Sequence, residues 1–250
     1  MIIPKIYSLP RSGGTLIYNV LNHIFDGLVD NHSHDYFETE SFSTPVICVY
    51  RDFRDSLVSQ YRVMTDHIDW APDQMPGTAV INNAKSQKKS VENLYMFLHY
   101  GLQHPKKRIM FLRYEDFFDS DVGDVDFEFL FDVFEKFFGL CEPQGMYDKF
   151  ITEEKKRYIK KEFCFSSQKK FASNFKNFDE GFDPERTGVD RMKELENSGL
   201  LAELHKRQIH GNHLNTGRKN TWKEKVPVEY HEHLNKILHR ELKDWGYLDD

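Results

Sequence analysis

A chain of 250 residues, 39% hydrophobic and 14% aromatic, can bury the core of one α/β domain and is too apolar to stay disordered. Its formal net charge of −6 argues against a general nucleic-acid binder, so any anion site must be a local cluster of Arg and Lys in an acidic background. Three scattered cysteines, Cys48, Cys141 and Cys164, offer neither a disulfide framework nor metal-ligand spacing, and so point to a reducing compartment.

Ile2–Ser8 reads as a short strand that starts too early to leave room for a signal peptide. No run approaches the ~20 apolar residues of a membrane span, so the expectation is a cytoplasmic protein with no membrane partner. Turn-rich Pro10-Arg11-Ser12-Gly13-Gly14 follows, and Leu16, Ile17, Val20, Leu21 and Ile24 then recur at helical spacing. Val46–Tyr50 is a continuous apolar run, as in a parallel strand buried on both faces. A helix carrying Leu57, Val58 and Tyr61 inward comes next.

Residues 66 to 89 are polar, hold Pro72, Pro76 and Gly77, and read as a long irregular excursion. A helix from about Ser90 to Tyr100 leads to a strand within Lys107–Tyr114. Phe127–Phe138 is a helix apolar on most sides, and Lys155–Cys164 a more charged one. Residues 165 to about 190 read as loop, and 190 to 207 as a solvated helix. The last helix places Tyr230, Leu234, Ile237, Leu238, Leu242 and Trp245 on one face, with Pro227 in its first turn. Alternating strands and helices predict a single α/β domain over residues 1–250, with a mostly parallel central sheet flanked by helices.

Two segments carry anion chemistry. Pro10 to Thr15, between a strand and a helix, forms a P-loop-like cradle in which glycines let backbone amides converge on an anion. Arg11 adds charge, and Ser12 and Thr15 add hydroxyls. A plain strand-to-helix turn accounts for the same glycines. The Gly-Lys pair of a nucleoside-triphosphatase loop is absent. The second segment, Tyr50-Arg51-Asp52-Phe53-Arg54-Asp55, follows the buried strand, where open α/β sheets bind ligands. A straight helix would separate residues 51 and 59 by about 12 Å, so Arg51 and Ser59 reach one phosphate only if Arg51 precedes the helix. Arg54 and Asp55 read as surface ion pairs at the helix start.

Together these segments resemble the family of sulfotransferases that use 3′-phosphoadenosine 5′-phosphosulfate (PAPS). Pro10–Leu16 is similar to the family's P[KR]SGTT[WL] loop, with Gly14 at the first Thr. Arg51 and Ser59 match its Arg-then-Ser motif. Arg218-Lys219-Asn220-Thr221-Trp222-Lys223 resembles a shorter form of its RKGxxGDWK segment, with Asn220 where the family prefers Gly. Arg113-Tyr114-Glu115-Asp116 resembles the YED that ends a core strand. The four matches fall in family order from residue 10 to 223.

The resemblance implies transfer of the PAPS sulfonate to a hydroxyl or amine of a small-molecule or glycan acceptor, with PAPS as co-substrate and no metal. It implies that Arg11, Ser12, Gly13, Gly14, Thr15 and Leu16 hold the 5′-phosphosulfate, with Arg11 also catalytic. Arg51, Ser59, Arg218 and Lys219 would hold the 3′-phosphate. His34 aligns with the family's general base, while His32 takes the place of a lysine and is a second candidate. Asp35 and Glu38 are carboxylate alternatives. Leu16 replaces a Trp that often stacks on adenine; Phe163, Phe165 and Phe171 are candidates for stacking or for the core. Lys223, Val228 and Glu232 resemble part of a homodimer motif. The rival expectations are a P-loop kinase of nucleotides or small molecules, and a non-catalytic nucleotide-binding module.

Overall fold

The computed structural model describes residues 3–29, 32–33, 44–64, 75–103, 108–119, 122–141, 149–171 and 218–248. Four strands form one parallel sheet in the order β2-β1-β3-β4: β1 (Lys5–Ser8), β2 (His32–Ser33), β3 (Val46–Tyr50) and β4 (Ile109–Arg113). The continuous apolar run of β3 sits in the interior of the sheet. Ile47 is in register with Ile6 on one side and Met110 on the other.

Because side chains alternate along a strand, the sheet feeds two cores. Ile6, Ile47, Val49, Met110 and Leu112 share one core with helices α1 (Gly14–Ile24), α4 (Tyr114–Phe117), α5 (Phe127–Cys141) and α6 (Glu153–Phe163). On α5 the buried residues Phe127, Phe131, Phe134 and Phe138 repeat at four-and-three spacing, which turns an aromatic stripe towards the sheet. Tyr7, Val46 and Cys48 face the other way, towards Val91, Leu94 and Tyr95 of α3 (Gly77–Gln103) and Leu238, Leu242 and Trp245 near the C-terminus. The arrangement is α/β, with helices on both faces of a parallel sheet.

Three expectations need correction. Residues from 77 onward are not irregular: Gly77–Gln103 is one helix of 27 residues, about 40 Å long. Its buried Val80, Ala84, Gln87, Val91 and Leu94 make a continuous stripe. Pro76 stands just ahead of it, its carbonyl accepting from the Val80 amide at 3.1 Å, where proline does no harm. Residues 165 to 171 are helical rather than loop. The last helix keeps its apolar face but is interrupted: Val228–Tyr230 is a 3-10 turn, and Leu238 (φ −136°, ψ 45°) separates His231–Ile237 from His239–Asp244. The solvated helix expected over 190 to 207 lies outside the described residues. Among those residues no helix is long and apolar enough to cross a membrane.

Strand order fixes where a ligand belongs. β1 connects through α1 to β2 on one side of the sheet. β3 connects through α2 (Phe53–Met64) and α3 to β4 on the other. The order therefore reverses between β1 and β3, and in open α/β sheets ligands bind beyond the strands' carboxyl ends at such a point. Residues 9–13 and 51–52 occupy that place.

Candidate anion site

The turn after β1 is held by two left-handed residues, Arg11 (φ 64°) and Gly13 (φ 88°). Between them Ser12 is buried, its hydroxyl within reach of the Leu9 and Val49 carbonyls at 2.6 and 3.0 Å. That hydroxyl ties the turn to β3, a different use from the anion donor expected of Ser12. Gly13 caps α1, and a Cβ there would lie 3.0 Å from the Phe117 and Tyr114 rings. Gly14 is buried in the first helical turn, with Thr15 and Leu16 half-buried behind it. No acidic residue lies in that turn, so the helix's positive end is left for another anion.

One face of α2 runs alongside this turn. The Ser56 hydroxyl donates to the Pro10 carbonyl, and Arg11 Nε donates to Ser59 Oγ at 3.2 Å. Arg62 follows Ser59 by one turn and is buried. Burial, with the Arg62 and Arg51 cations nearby, pushes the Arg11 guanidinium down to about 9. Burial also lowers Arg62.

Arg51 does precede its helix, as one-phosphate reach required. Its guanidinium lies 4.5 Å over the Tyr114 ring, and Nη2 donates to the Arg218 carbonyl at 2.7 Å. Glu115 Oε1 is 3.9 Å from the buried Arg51 Nε, which has no hydrogen bond among the described residues. Ser59 is bonded to Arg11 rather than paired with Arg51, so the two expected pockets adjoin through that contact.

Arg54 and Asp55 are not surface residues; they are 3% and 1% exposed. Arg54 forks onto Asp52 (2.7 and 2.9 Å), reaches Asn235 Oδ1 and the Tyr247 carbonyl, and stacks 4.2 Å over Trp222. Asp55 accepts from the Asn220 and Trp222 amides and the Thr221 hydroxyl. What buries both residues arrives from the far end of the chain. Lys219 Nζ donates to the Glu115 carbonyl at 2.9 Å, while the Arg218 side chain is exposed. Asn220 has φ 59°, which explains why a glycine would suit its place.

The segments Pro10–Leu16, Arg51–Ser59, Arg113–Asp116 and Arg218–Lys223 thus meet at the carboxyl ends of β1, β3 and β4. No protein-family model matches the chain, and no curated protein does. The convergence stands on this chain's residues alone.

Around it sit residues to which sequence reasoning assigned no site role. Arg62 lies in the helix of the second segment, three positions from Ser59, and Asp55 read as part of a surface ion pair although it stands four positions from Arg51. Tyr247, whose hydroxyl donates to Glu115 Oε2 at 2.7 Å, had no local signal. Burial raises Glu115, although the Tyr247 hydroxyl and Arg51 pull the other way. The base candidates are less visible. His32 lies in β2 opposite Ile6, so the carboxyl end of β2 faces the same edge as the turn. His34, Asp35 and Glu38 lie outside the described residues. Phe163 is buried in the core and Phe165 packs edge-on against Phe118, 5.5 Å between centroids. Lys223, Val228 and Glu232 are all exposed.

Proposed function

We propose that this protein is a PAPS-dependent sulfotransferase acting on a hydroxyl or amine acceptor. One observation carries the reading: four segments spread over residues 10 to 223 converge on the strand-order reversal and bring Arg11, Arg51 and Lys219 to the carboxyl end of a parallel sheet. A cation-rich edge with a desolvated guanidinium nitrogen at Arg51 suits a ligand with two separated anionic ends. A nucleotide with a 3′-phosphate and a 5′-phosphosulfate is such a ligand.

In this reading the turn is P-loop-like without being a triphosphatase loop. Arg11 and the amides of Gly13, Gly14 and Thr15 take the 5′ end, while Leu16 backs the turn with its own amide donating to the Gly13 carbonyl at 3.0 Å. Arg51, Arg218 and Lys219 take the 3′-phosphate, with Ser59 at the join. PAPS supplies an activated sulfonate. The acceptor oxygen or nitrogen bonds to sulfur as the bridging S–O bond to the 5′-phosphate breaks, and the electron pair leaves with that phosphate oxygen. Arg11 and the turn amides stabilise the leaving charge, each such donor being worth ~3 kcal/mol. His34 takes the acceptor proton, and His32 is the second candidate. The products are the sulfonated acceptor and adenosine 3′,5′-bisphosphate.

Thermal melting with two ligands tests the reading. Adenosine 3′,5′-bisphosphate without magnesium should raise the midpoint, and ATP with magnesium should not. The reverse would assign a kinase. Turnover of PAPS with an acceptor set should follow, and His34→Ala should lower it by ~10²-fold while bisphosphate binding is kept. A protein that binds the bisphosphate yet never turns over PAPS would be a binding module.

A further inference from the structure

Asp55 carries no sequence match, yet its carboxylate collects three hydrogen bonds from one distant stretch of chain. Oδ1 accepts from the Trp222 amide at 3.0 Å and the Thr221 hydroxyl at 2.9 Å. Oδ2 accepts from the Asn220 amide at 2.8 Å and faces Arg51 Nη2 at 3.5 Å. A carboxylate that is 1% exposed needs such donors to offset the water it has lost. Three of them come from consecutive residues more than 160 positions away in sequence. The left-handed backbone at Asn220 turns two amides and a hydroxyl onto the same group.

Arg51 closes the loop. The same Nη2 that faces Asp55 donates to the Arg218 carbonyl at 2.7 Å. Lys219 is fastened from the β4 side, to the Glu115 carbonyl. We propose that Asp55 is a positioning residue that latches residues 218–222 against Arg51, and so assembles the pocket for the 3′-phosphate. The inference rests on the sulfotransferase reading of this edge and adds to it the device that joins the pocket's two halves. Asp55 does not touch the nucleotide; it acts through the backbone that carries Arg218 and Lys219. The 5′ pocket draws on the turn after β1 and does not use the latch.

The test uses the full chain with Asp55→Asn, which keeps the shape and removes the charge, and Thr221→Val, which removes one donor and leaves the carboxylate in place. Titrations with adenosine 3′,5′-bisphosphate and with adenosine 5′-phosphate separate positioning from general damage. Asp55→Asn should weaken the bisphosphate by about tenfold or more, the scale of hydrogen bonds to a charged group, and Thr221→Val by roughly threefold, since two of the three donors from residues 220–222 remain. Adenosine 5′-phosphate should shift less than about twofold with either. Trypsin should also cut after Arg218 and Lys219 faster in both variants than in the parent. An equal loss for the two nucleotides, or an unchanged bisphosphate affinity, would overturn the latch alone. A parent that binds neither nucleotide would overturn the latch together with the reading beneath it. If Asp55→Asn does not fold, Thr221→Val separates the same outcomes on a smaller scale.

Discussion

Replacing Gly13 by Ala tests the geometry of the turn more sharply than any charge change. Two costs combine there. The residue has φ 88°, a left-handed conformation that costs an L-residue roughly 1–2 kcal/mol. A Cβ would also sit 3.0 Å from both Phe117 Cζ and Tyr114 Cδ2. Neither ring can yield easily: Phe117 is 0% exposed and Tyr114 is 8%, so crowding adds ~1 kcal/mol or more. Gly27 separates the two costs, since it has φ 84° and nothing within 4 Å of a Cβ. Urea denaturation should therefore show Gly27→Ala losing about 1 kcal/mol and Gly13→Ala about 2–3 kcal/mol. In a thermal melt the Gly13 variant should fall by roughly 4–12 °C at this chain length. Equal losses at the two glycines would refute the wedging of the turn against the rings. No loss at Gly13 would refute the turn itself.

Arg54→Ala strands the buried Asp52 carboxylate and should cost ~3–5 kcal/mol by chemical denaturation, where a surface pair would cost under about 1 kcal/mol; a loss that small would return Arg54 to the surface. Ala84→Pro, placed in the stretch that reads as irregular, should cost ~3 kcal/mol or more if the helix is continuous, and a variant melting with the parent would deny the helix. Glu115→Gln gives a pH signature. Burial raises the folded carboxyl above its ordinary 4.5, so the folded state binds more protons in that window and loses this contribution as pH rises through it. The stability difference, variant minus parent, should therefore move in the variant's favour from pH 4 upward. A difference that is flat with pH, or that moves the other way, contradicts the burial of that charge.

The readable parts of the chain are those whose signal is local. Val46–Tyr50 has no polar position, so a strand buried on both faces was the direct reading, and α1 announced itself by Leu16, Ile17, Val20, Leu21 and Ile24. The first half of α3 was illegible because its inward stripe is thin. Between Val80 and Val91 only Ala84 and Gln87 join it, while Asn82, Lys85, Lys88 and Lys89 face away and Pro76-Gly77 imitates a loop. Arg54 and Asp55 misled for a different reason. A charged pair at a helix start is solvated unless something covers it, and the covering residues Thr221, Trp222, Asn235 and Tyr247 lie 166 to 193 positions away. The pairing of Arg11 with Ser59 was hidden likewise, since sequence order grouped Ser59 with Arg51.

Calorimetric titration of one nucleotide and its two fragments, at fixed low salt and without magnesium, addresses the central claim directly. Adenosine 3′,5′-bisphosphate should bind about 10²-fold more tightly than adenosine 5′-phosphate or adenosine 3′-phosphate, since each missing phosphate forfeits charge-assisted hydrogen bonds worth ~1.5–3 kcal/mol. Equal affinity for all three would contradict the account, because a site with a cationic pocket for each end cannot be indifferent to losing one.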